Sequence, residues 1–401
     1  MRLLPDGVAP EARLLLIGRA LRAFTDGYVA ILLPVYLLAL GLGKWEVGLI
    51  STATLLGSAL MTLAVGQWGH RFPQRRLLLA AAWLMAVTGL LLAGLGGVGN
   101  FWPLLIVAFV GTMNPSSGDV SVFLPLEHAR LAETAQGETR TFVFARYTFI
   151  GALCAAVGAL ATAIPQWLTD AGMTQHDAIR LMFVAYGLTG VAIFFLYRTL
   201  PNHQVHAQAL PPTPLGPSRK IVVHLAALFS VDAFAGGLVV NTLLALWLFE
   251  RFDLSLAAAG NFFFWAGLLS AGSQLAAPWV ARRIGLINTM VFTHVPSSIC
   301  LILAAFAENL PLALTLLFVR SALSQMDVPT RSAFVMAVVT PAERAAAASF
   351  TAVPRSLAAA ASPAIGGALF AAGWLAVPLV ACGMLKIAYD IAIWRAFRNA
   401  Q

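Results

Sequence analysis

The sequence predicts an all-α polytopic membrane protein with twelve transmembrane helices. Hydrophobic residues make up 60% of the 401 residues and charged residues only 10%, against about 45–50% and about 25% in soluble domains. The apolar residues form long continuous runs rather than the alternating pattern of a transmembrane β-barrel. This composition excludes a soluble enzyme. The net charge of +8 is scattered between the apolar runs, which argues against a nucleic-acid-binding protein.

The individual spans follow from the length that a membrane helix needs. About 20 mostly apolar residues cross the hydrocarbon core, and charges and clusters of Gly and Pro mark the breaks. Twelve runs meet this condition: 14–40, 46–67, 76–98, 101–125, 141–164, 179–198, 222–248, 255–279, 286–307, 309–338, 348–370 and 373–397. The first run is not expected to be a cleavable signal peptide, because Arg19, Arg22 and Asp26 interrupt it.

The distribution of Lys and Arg predicts the orientation. With both termini in the cytoplasm, the cytoplasmic segments hold fifteen of these residues and the outer loops hold three, Lys44, Arg180 and Arg251. This topology satisfies the positive-inside rule and predicts an integral protein of the cell (inner) membrane. Residues 201–219 contain several prolines without apolar periodicity, which is typical of a linker. We therefore expect an N-terminal bundle over 1–200 and a C-terminal bundle over 220–401.

The two halves resemble each other when one is shifted by 208–210 positions. Four pairs of residues then match: Pro103 with Pro311, Asp119 with Asp327, Arg146 with Arg355 and Gly27 with Gly237. Many carriers alternate access by rocking two such repeats about a central site. The repeat therefore predicts two pseudo-symmetric six-helix bundles.

The loop between the second and third runs contains a recognisable motif. It reads Gly66-Gln67-Trp68-Gly69-His70-Arg71-Phe72-Pro73-Gln74-Arg75-Arg76. With the 6+6 layout and the central linker, this loop resembles the major facilitator superfamily, whose hallmark there is G-x-x-x-D-R-x-G-R-R. Gly66, Arg71 and Arg75 fit the hallmark, whereas His70 stands in place of its Asp and Pro73 in place of its Gly. The resemblance implies a two-bundle carrier that works by alternating access.

A second motif resembles one branch of that superfamily. The stretch RSALSQMDVP at Arg320 is similar to the Arg-bearing helix of drug and proton antiporters, although in those proteins it belongs to span 4. Gly111 occupies the corresponding place in span 4 of this chain, and the antiporter signature of span 5 is missing. The overall likeness is to drug/proton antiporter-like members.

Charged residues inside the first span lie on one face. Arg19, Arg22 and Asp26 follow i, i+3, i+7 spacing, which keeps them within about 60° of one another on a helix. They fit a salt-bridge network that packs the helices. Alternatively, Asp26 is a proton carrier that Arg22 keeps ionised while the two side chains are paired.

Span 10 carries a longer polar stripe. Arg320, Ser324, Asp327 and Arg331 follow i, i+4, i+7, i+11 spacing, so on a continuous helix they share one face. The corresponding acid on span 4 is Asp119. We expect Arg146 and Arg355 to pair with Asp119 and Asp327, as structural ion pairs or as a gate or coupling site that changes with conformation.

Two further acids lie within spans 7 and 12. Asp232 is near mid-membrane, with no cation within one turn on its own helix. We expect it to be protonated for part of the time, as a proton-coupling or cation-binding residue is, unless it is a neutral acid bonded to a neighbouring helix. Lys386 and Asp390 are spaced i, i+4 and are expected to neutralise each other.

Several polar and aromatic residues are candidates for the walls of a substrate cavity. They could equally serve only as helix contacts. They are Tyr28, Tyr36, Asn114, Asn241, Trp265 and Gln325.

These patterns favour a secondary transporter of a small molecule, coupled to protons and exporting its substrate, in monomeric form. The export direction follows from the family resemblance alone. An alternative is an uptake permease for an organic anion or metabolite, bound by Arg146, Arg320 and Arg355. A membrane enzyme is disfavoured because the seven histidines show no catalytic spacing. No ATP-binding motif, cofactor motif or metal site is found.

Overall fold

Helices fill most of the chain in the computed structural model, which describes residues 8–95, 101–116, 121–135, 137–201, 216–340 and 343–397. The chain divides into two units. The first comprises Met1–Ala207 with Leu254–Phe264, and the second comprises Gln208–Asp253 with Trp265–Gln401.

The helices before the linker all lie in the first unit. They are α1 (Glu11–Ala39), α2 (Lys44–Trp68), α3 (Gln74–Leu95), α4 (Phe101–Val110), α5 (Phe123–Glu133), α6 (Gly137–Leu160), α7 (Ala163–Asp170) and α8 (Gln175–Arg198). A short 3₁₀ turn, Gly69–Arg71, joins α2 to α3.

The remaining helices follow the linker, and only the first turns of α11 are grouped with the first unit. They are α9 (Arg219–Gly237), α10 (Asn241–Phe252), α11 (Leu256–Ile284), α12 (Leu286–Ala305), α13 (Leu310–Ser324), α14 (Asp327–Val338), α15 (Arg344–Ala371) and α16 (Val377–Phe397).

Nine helical segments of the described residues are long and apolar enough to cross a membrane. Their outer faces expose large apolar side chains, for example Trp83, Leu188 and Phe292, which are 58–59% exposed. Such surface belongs in lipid rather than water. The predicted all-α architecture of twelve transmembrane helices in two six-helix bundles is confirmed.

Spans 4 and 10 differ from the prediction because each is broken rather than continuous. Span 4 ends its first helix at Val110, and Pro115 follows in a non-helical stretch. Span 10 ends α13 at Ser324 and restarts at Asp327, with Pro329 in the first turn of α14. Proline has no backbone N–H, so it cannot donate the helical hydrogen bond to the carbonyl oxygen four residues earlier. The prediction of one continuous polar stripe from Arg320 to Arg331 is therefore wrong.

The repeat is visible in how equivalent helices pack. A Cβ on Gly27 of α1 would lie 2.1 Å from the carbonyl oxygen of Ala155 in α6, and one on Gly237 of α9 would lie 2.4 Å from that of Ala359 in α15. Only glycine permits such close backbone approach. The matched glycines thus bring spans 1 and 5, and spans 7 and 11, into contact in the same way.

Candidate functional site

The first unit contains a buried network around Glu127 of α5, which we call the Glu127 network. Arg22 of α1 places Nη2 2.6 Å from Glu127 Oε2. The hydroxyls of Tyr147 in α6 and Tyr197 in α8 also donate to this carboxylate. Arg22 Nη1 donates to Ser121 Oγ at 3.1 Å. Four helices are tied together through one carboxylate.

The Glu127 network is balanced in charge and saturated with donors. Glu127 is 0% exposed and Arg22 2%, so the pairing stabilises both buried charges. The guanidinium of Arg22 also lies 4.3 Å from the ring centroid of Phe123, a favourable cation–π contact. This arrangement fits the structural interpretation of the embedded charge on span 1.

Fewer contacts are described for the other charged candidates of the first unit. Asp26 is partly exposed on α1, and Asp119 lies outside the described residues, so its expected pairing with Arg146 is not described. Arg146 packs its guanidinium 4.6 Å from the ring centroid of Phe142.

The second unit contains a larger cluster around Asp232 of α9, which we call the Asp232 network. Lys386 Nζ of α16 lies 2.6 Å from Asp232 Oδ1, and Arg331 Nη1 of α14 lies 3.0 Å from Asp232 Oδ2. The same Arg331 Nη1 is 3.0 Å from Asp327 Oδ2. The expectation that Asp232 is an unpaired carboxylate is wrong, because both of its cations come from other helices.

A histidine extends this network to a second acid. His294 Nδ1 of α12 lies 3.0 Å from Asp390 Oδ2 of α16, and His294 Nε2 lies 3.3 Å from Lys386 Nζ. An ammonium group can only donate, so the state of His294 that fits this arrangement is the neutral tautomer, which accepts from Lys386 at Nε2 and carries its proton on Nδ1, toward Asp390. The expected pairing of Lys386 with Asp390 is wrong, because these side chains turn to Asp232 and His294.

Two arginines of the second unit remain without an acid. Asp327 pairs with Arg331 one turn away, so the expected pairing of Asp327 with Arg355 is wrong. Among the described residues, neither Arg320 nor Arg355 has a carboxylate at ion-pair distance. Both side chains are partly exposed, and the buried Nε of Arg355 has no hydrogen-bond partner in the described part of the chain.

The loop motif between α2 and α3 anchors helix ends within the first unit. Arg75 donates to the main-chain oxygen of Arg198 at the end of α8, where a cation is favoured by the helix dipole. Gln74 Nε2 donates to the carbonyl of Leu126 at 2.9 Å. Gly66 lies within α2, Arg71 is exposed, and His70 belongs to the 3₁₀ turn.

An acid outside the spans holds the end of the linker. The Glu343 carboxylate accepts from the main-chain N–H groups of Gly216 and Ser218 and from Thr340 Oγ1 at 2.7 Å. These hydrogen bonds favour the ionised form and lower the pKa of Glu343 to about 2. The linker end is thus fixed to the start of α15 by one ionised side chain.

Two of the predicted cavity residues, Tyr28 and Tyr36, are packed inside the first unit. Tyr28 donates to the carbonyl of Met182 at 3.1 Å and Tyr36 to that of Leu92 at 2.7 Å. At 2% and 0% exposure, they are packing residues of the first bundle, and the prediction that they line an open cavity is wrong.

The other four candidates lie at breaks and on surfaces. Asn114 Oδ1 accepts from Ser116 in the break of span 4. Asn241 begins α10, and Gln325 accepts from Gln274 at the break of span 10. Trp265 on α11 is 51% exposed.

Sequence reasoning left Glu127, Tyr147, Tyr197 and His294 out of the site. Their partners are more than ten residues away along the chain, so no local spacing marks them. His294 did carry a signal, since it lies in the middle of an apolar run, where a polar side chain needs a partner. No group of three His, Cys, Asp or Glu that could hold a metal occurs in the described ranges.

Comparison with known proteins agrees with this architecture. An uncharacterised membrane protein of Saccharomyces cerevisiae is 23% identical over 419 residues, which cover 96% of this chain and 93% of the yeast protein. The structure of a D-xylose–proton symporter covers 96% of this chain and 97% of its own, with a TM-score of 0.76 and 15% identity. A mutant of the nucleoside transporter NupG covers 96% and 99%, with a TM-score of 0.73 and 14% identity.

The family itself is shown by a sequence profile. The profile of the Major Facilitator Superfamily matches residues 15–319, more than half of the chain. With two six-helix bundles and repeat-related glycine contacts, the chain belongs to the major facilitator superfamily and is a membrane transport protein.

Proposed function

We propose that this chain is a proton-coupled secondary transporter whose coupling proton is carried by His294 and Asp390. The observation that supports this is the position of the His294 ring, with Asp390 at Nδ1 and Lys386 at Nε2. Histidine is the side chain whose charge changes most readily near physiological pH. Both ring nitrogens face groups that respond to such a change.

Protonation of His294 would alter its contacts directly. A proton on Nε2 converts an acceptor into a donor and leaves two positive groups 3.3 Å apart. Asp232 Oδ1, 3.9 Å from Nε2, is the acceptor closest to the new N–H among the contacts described. Lys386 would have to move away from the ring, which changes how α9, α12 and α16 are held together. A carrier needs a local charge change that biases one conformation over another.

The surroundings of the pair are strongly charged. His294 and Asp390 are faced by charged side chains from two helices. They are Asp232 of α9 and Lys386 of α16. Asp232 is in turn paired with Arg331 of α14, which also binds Asp327. In this proposal Asp232 stays ionised as the counter-ion of Lys386 and Arg331. Of the acids considered for coupling from sequence, Asp327 has the same supporting role toward Arg331, and Asp26 and Asp119 are not assigned one.

The proposed direction is outward, as in the drug and proton antiporters that the stretch around Arg320 resembles. We further propose a monomer in the cell (inner) membrane with both termini cytoplasmic, residues 201–219 as the cytoplasmic linker, and bundles over 1–200 and 220–401. A lower intracellular level of the substrate in cells that produce the protein than in cells that do not supports export. A higher intracellular level shows uptake.

Transport in proteoliposomes tests the coupling. A thermal-shift screen first identifies a compound that binds the folded protein. We expect a pH gradient to drive uphill movement of that compound and a protonophore to abolish it. His294→Asn keeps a donor toward Asp390 but cannot titrate, so it should retain exchange between equally loaded faces and lose gradient-driven accumulation. His224→Asn, on an exposed part of α9, is the matched control. Full accumulation by His294→Asn would overturn the assignment.

A further inference from the structure

We propose that the substrate is an organic anion whose carboxylate or phosphate binds to Arg355, Lys386 and Arg320 of the second unit. This inference rests on the proposed transport function and names its substrate class. It comes from the balance and exposure of charge in the Asp232 network and its neighbours.

The embedded part of the second unit holds more cations than acids. The acids are Asp232, Asp327 and Asp390, and the cations are Arg320, Arg331, Arg355 and Lys386. Four cations against three acids leave a surplus of one positive charge while His294 is neutral. Every acid already has a partner. Asp232 pairs with Lys386 and Arg331, Asp327 pairs with Arg331, and Asp390 contacts His294. The surplus therefore falls on Arg320 and Arg355.

Three of the four cations of this cluster, Lys386, Arg320 and Arg355, are more exposed than its acids. The side chain of Lys386 is 15% exposed, whereas those of Asp232, Asp327 and Asp390 are 5%, 7% and 0% exposed. Arg320 and Arg355 are likewise partly exposed. The accessible charged surface of the cluster is therefore mainly ammonium and guanidinium rather than carboxylate. This distribution of charges attracts anions and repels cations.

The neighbouring backbone leaves room beside Lys386. Gly236 lies one turn after Asp232 on α9, and a Cβ there would come 3.9 Å from Lys386 Nζ. Arg355 is within electrostatic range of Arg331, Asp232 and Asp327, so it borders the same cluster. Arg320 is in electrostatic contact with Cys382, one turn before Lys386 on α16. Arg355 and Arg320 therefore both border the part of the second unit that contains Lys386.

The chemistry of these groups suits an oxyanion. A guanidinium binds a carboxylate or a phosphate through two parallel N–H···O bonds, and the unpartnered Nε of Arg355 supplies one such donor. A surplus of one charge fits a monoanion while His294 is neutral.

Ligand binding to the purified full-length protein tests this inference at fixed pH. The probes are benzoate, succinate and inorganic phosphate, with benzamide and succinamide as uncharged counterparts, and the readout is the melting temperature as a function of probe concentration. We expect at least one anion, and neither amide, to raise the melting temperature. Arg355→Gln should weaken the apparent affinity about 10- to 100-fold, as loss of a charge-assisted hydrogen bond does, and Arg355→Lys should restore part of it.

Controls separate this result from general anion effects. Arg282→Gln, at the exposed end of α11, should bind as the parent does, and Arg320→Gln provides a second variant if Arg355→Gln does not fold. No stabilisation by any of the three anions, equal binding of the amides, or parental affinity in both Arg355→Gln and Arg320→Gln would overturn the inference. Benzoate against phosphate distinguishes a carboxylate from a phosphate ligand. Because no pH gradient is involved, failure here is distinct from failure of the proton-coupling proposal.

Discussion

The two buried charge networks of this transporter differ in how completely they are satisfied. In the first unit, one acid and one arginine are matched, and Glu127 receives donors from Arg22, Tyr147 and Tyr197. In the second unit, His294 contacts Asp390 directly and Asp232 through Lys386, and among the described residues Arg320 and Arg355 have no acid at ion-pair distance. A saturated network holds one arrangement, whereas a network with surplus donors can exchange partners. We therefore expect the Glu127 network to stabilise the fold of the first unit and the Asp232 network to exchange partners when its protonation changes.

The largest expected effect is in the saturated network. Glu127→Gln removes the carboxylate that lies 2.6 Å from the buried Arg22, and breaking a buried ion pair costs about 3–5 kcal/mol. We expect a marked fall in melting temperature in detergent. Glu133→Gln is the control, because Glu133 is 45% exposed in its pair with Arg130 and exposed pairs contribute about 0–1 kcal/mol. Equal melting temperatures for the two variants would remove the structural role from Glu127.

A smaller effect is expected for Asp327→Asn. Arg331 loses one partner but keeps Asp232 at 3.0 Å, so the loss should be about 1.5–3 kcal/mol, the range for a hydrogen bond to a charged group. Unfolding in increasing denaturant measures it. A loss as large as that of Glu127→Gln would show that the second network is as tightly interdependent as the first.

Tyr147→Phe removes one of the three donors to Glu127 without removing a charge. Arg22 and Tyr197 remain, so we expect a loss of about 1 kcal/mol. The double variant with Tyr197→Phe should lose more than the sum of the singles, since the carboxylate is then left with Arg22 and no hydroxyl donor. Strict additivity in the thermal unfolding of the four proteins would contradict a shared network.

The smallest effect concerns an acid outside both networks. Because the folded-state pKa of Glu343 is lowered to about 2 from an ordinary value of 4.5, its contribution to stability is present above pH 4.5 and is lost as pH falls toward 2. Glu343→Gln should therefore flatten the fall in melting temperature below pH 4.5. An unchanged pH profile would mean that the linker contact adds nothing to stability.

The sequence predicted the features that depend on neighbouring residues and missed the contacts between residues that are far apart along the chain. Run length and charge placement predicted the helices and the two bundles, because a membrane helix is a local structure. The breaks after Val110 and Ser324 were missed since Pro115 and Pro329 are ambiguous in an apolar run. The partners of Asp232 were missed because they come from α14 and α16, at sequence separations that no helical period encodes. Arg355 was assigned an acid by repeat symmetry, but Arg331 on the restarted α14 takes that acid.

We propose that the second unit carries the coupling residues and that the Glu127 network of the first unit is structural. The most direct measurement is the ratio of gradient-driven accumulation to exchange in proteoliposomes, for His294→Asn and Tyr147→Phe side by side. We expect the ratio to collapse in His294→Asn and to stay at the parental value in Tyr147→Phe, whatever its stability. A parental ratio in His294→Asn, or a collapse in Tyr147→Phe, would contradict the account.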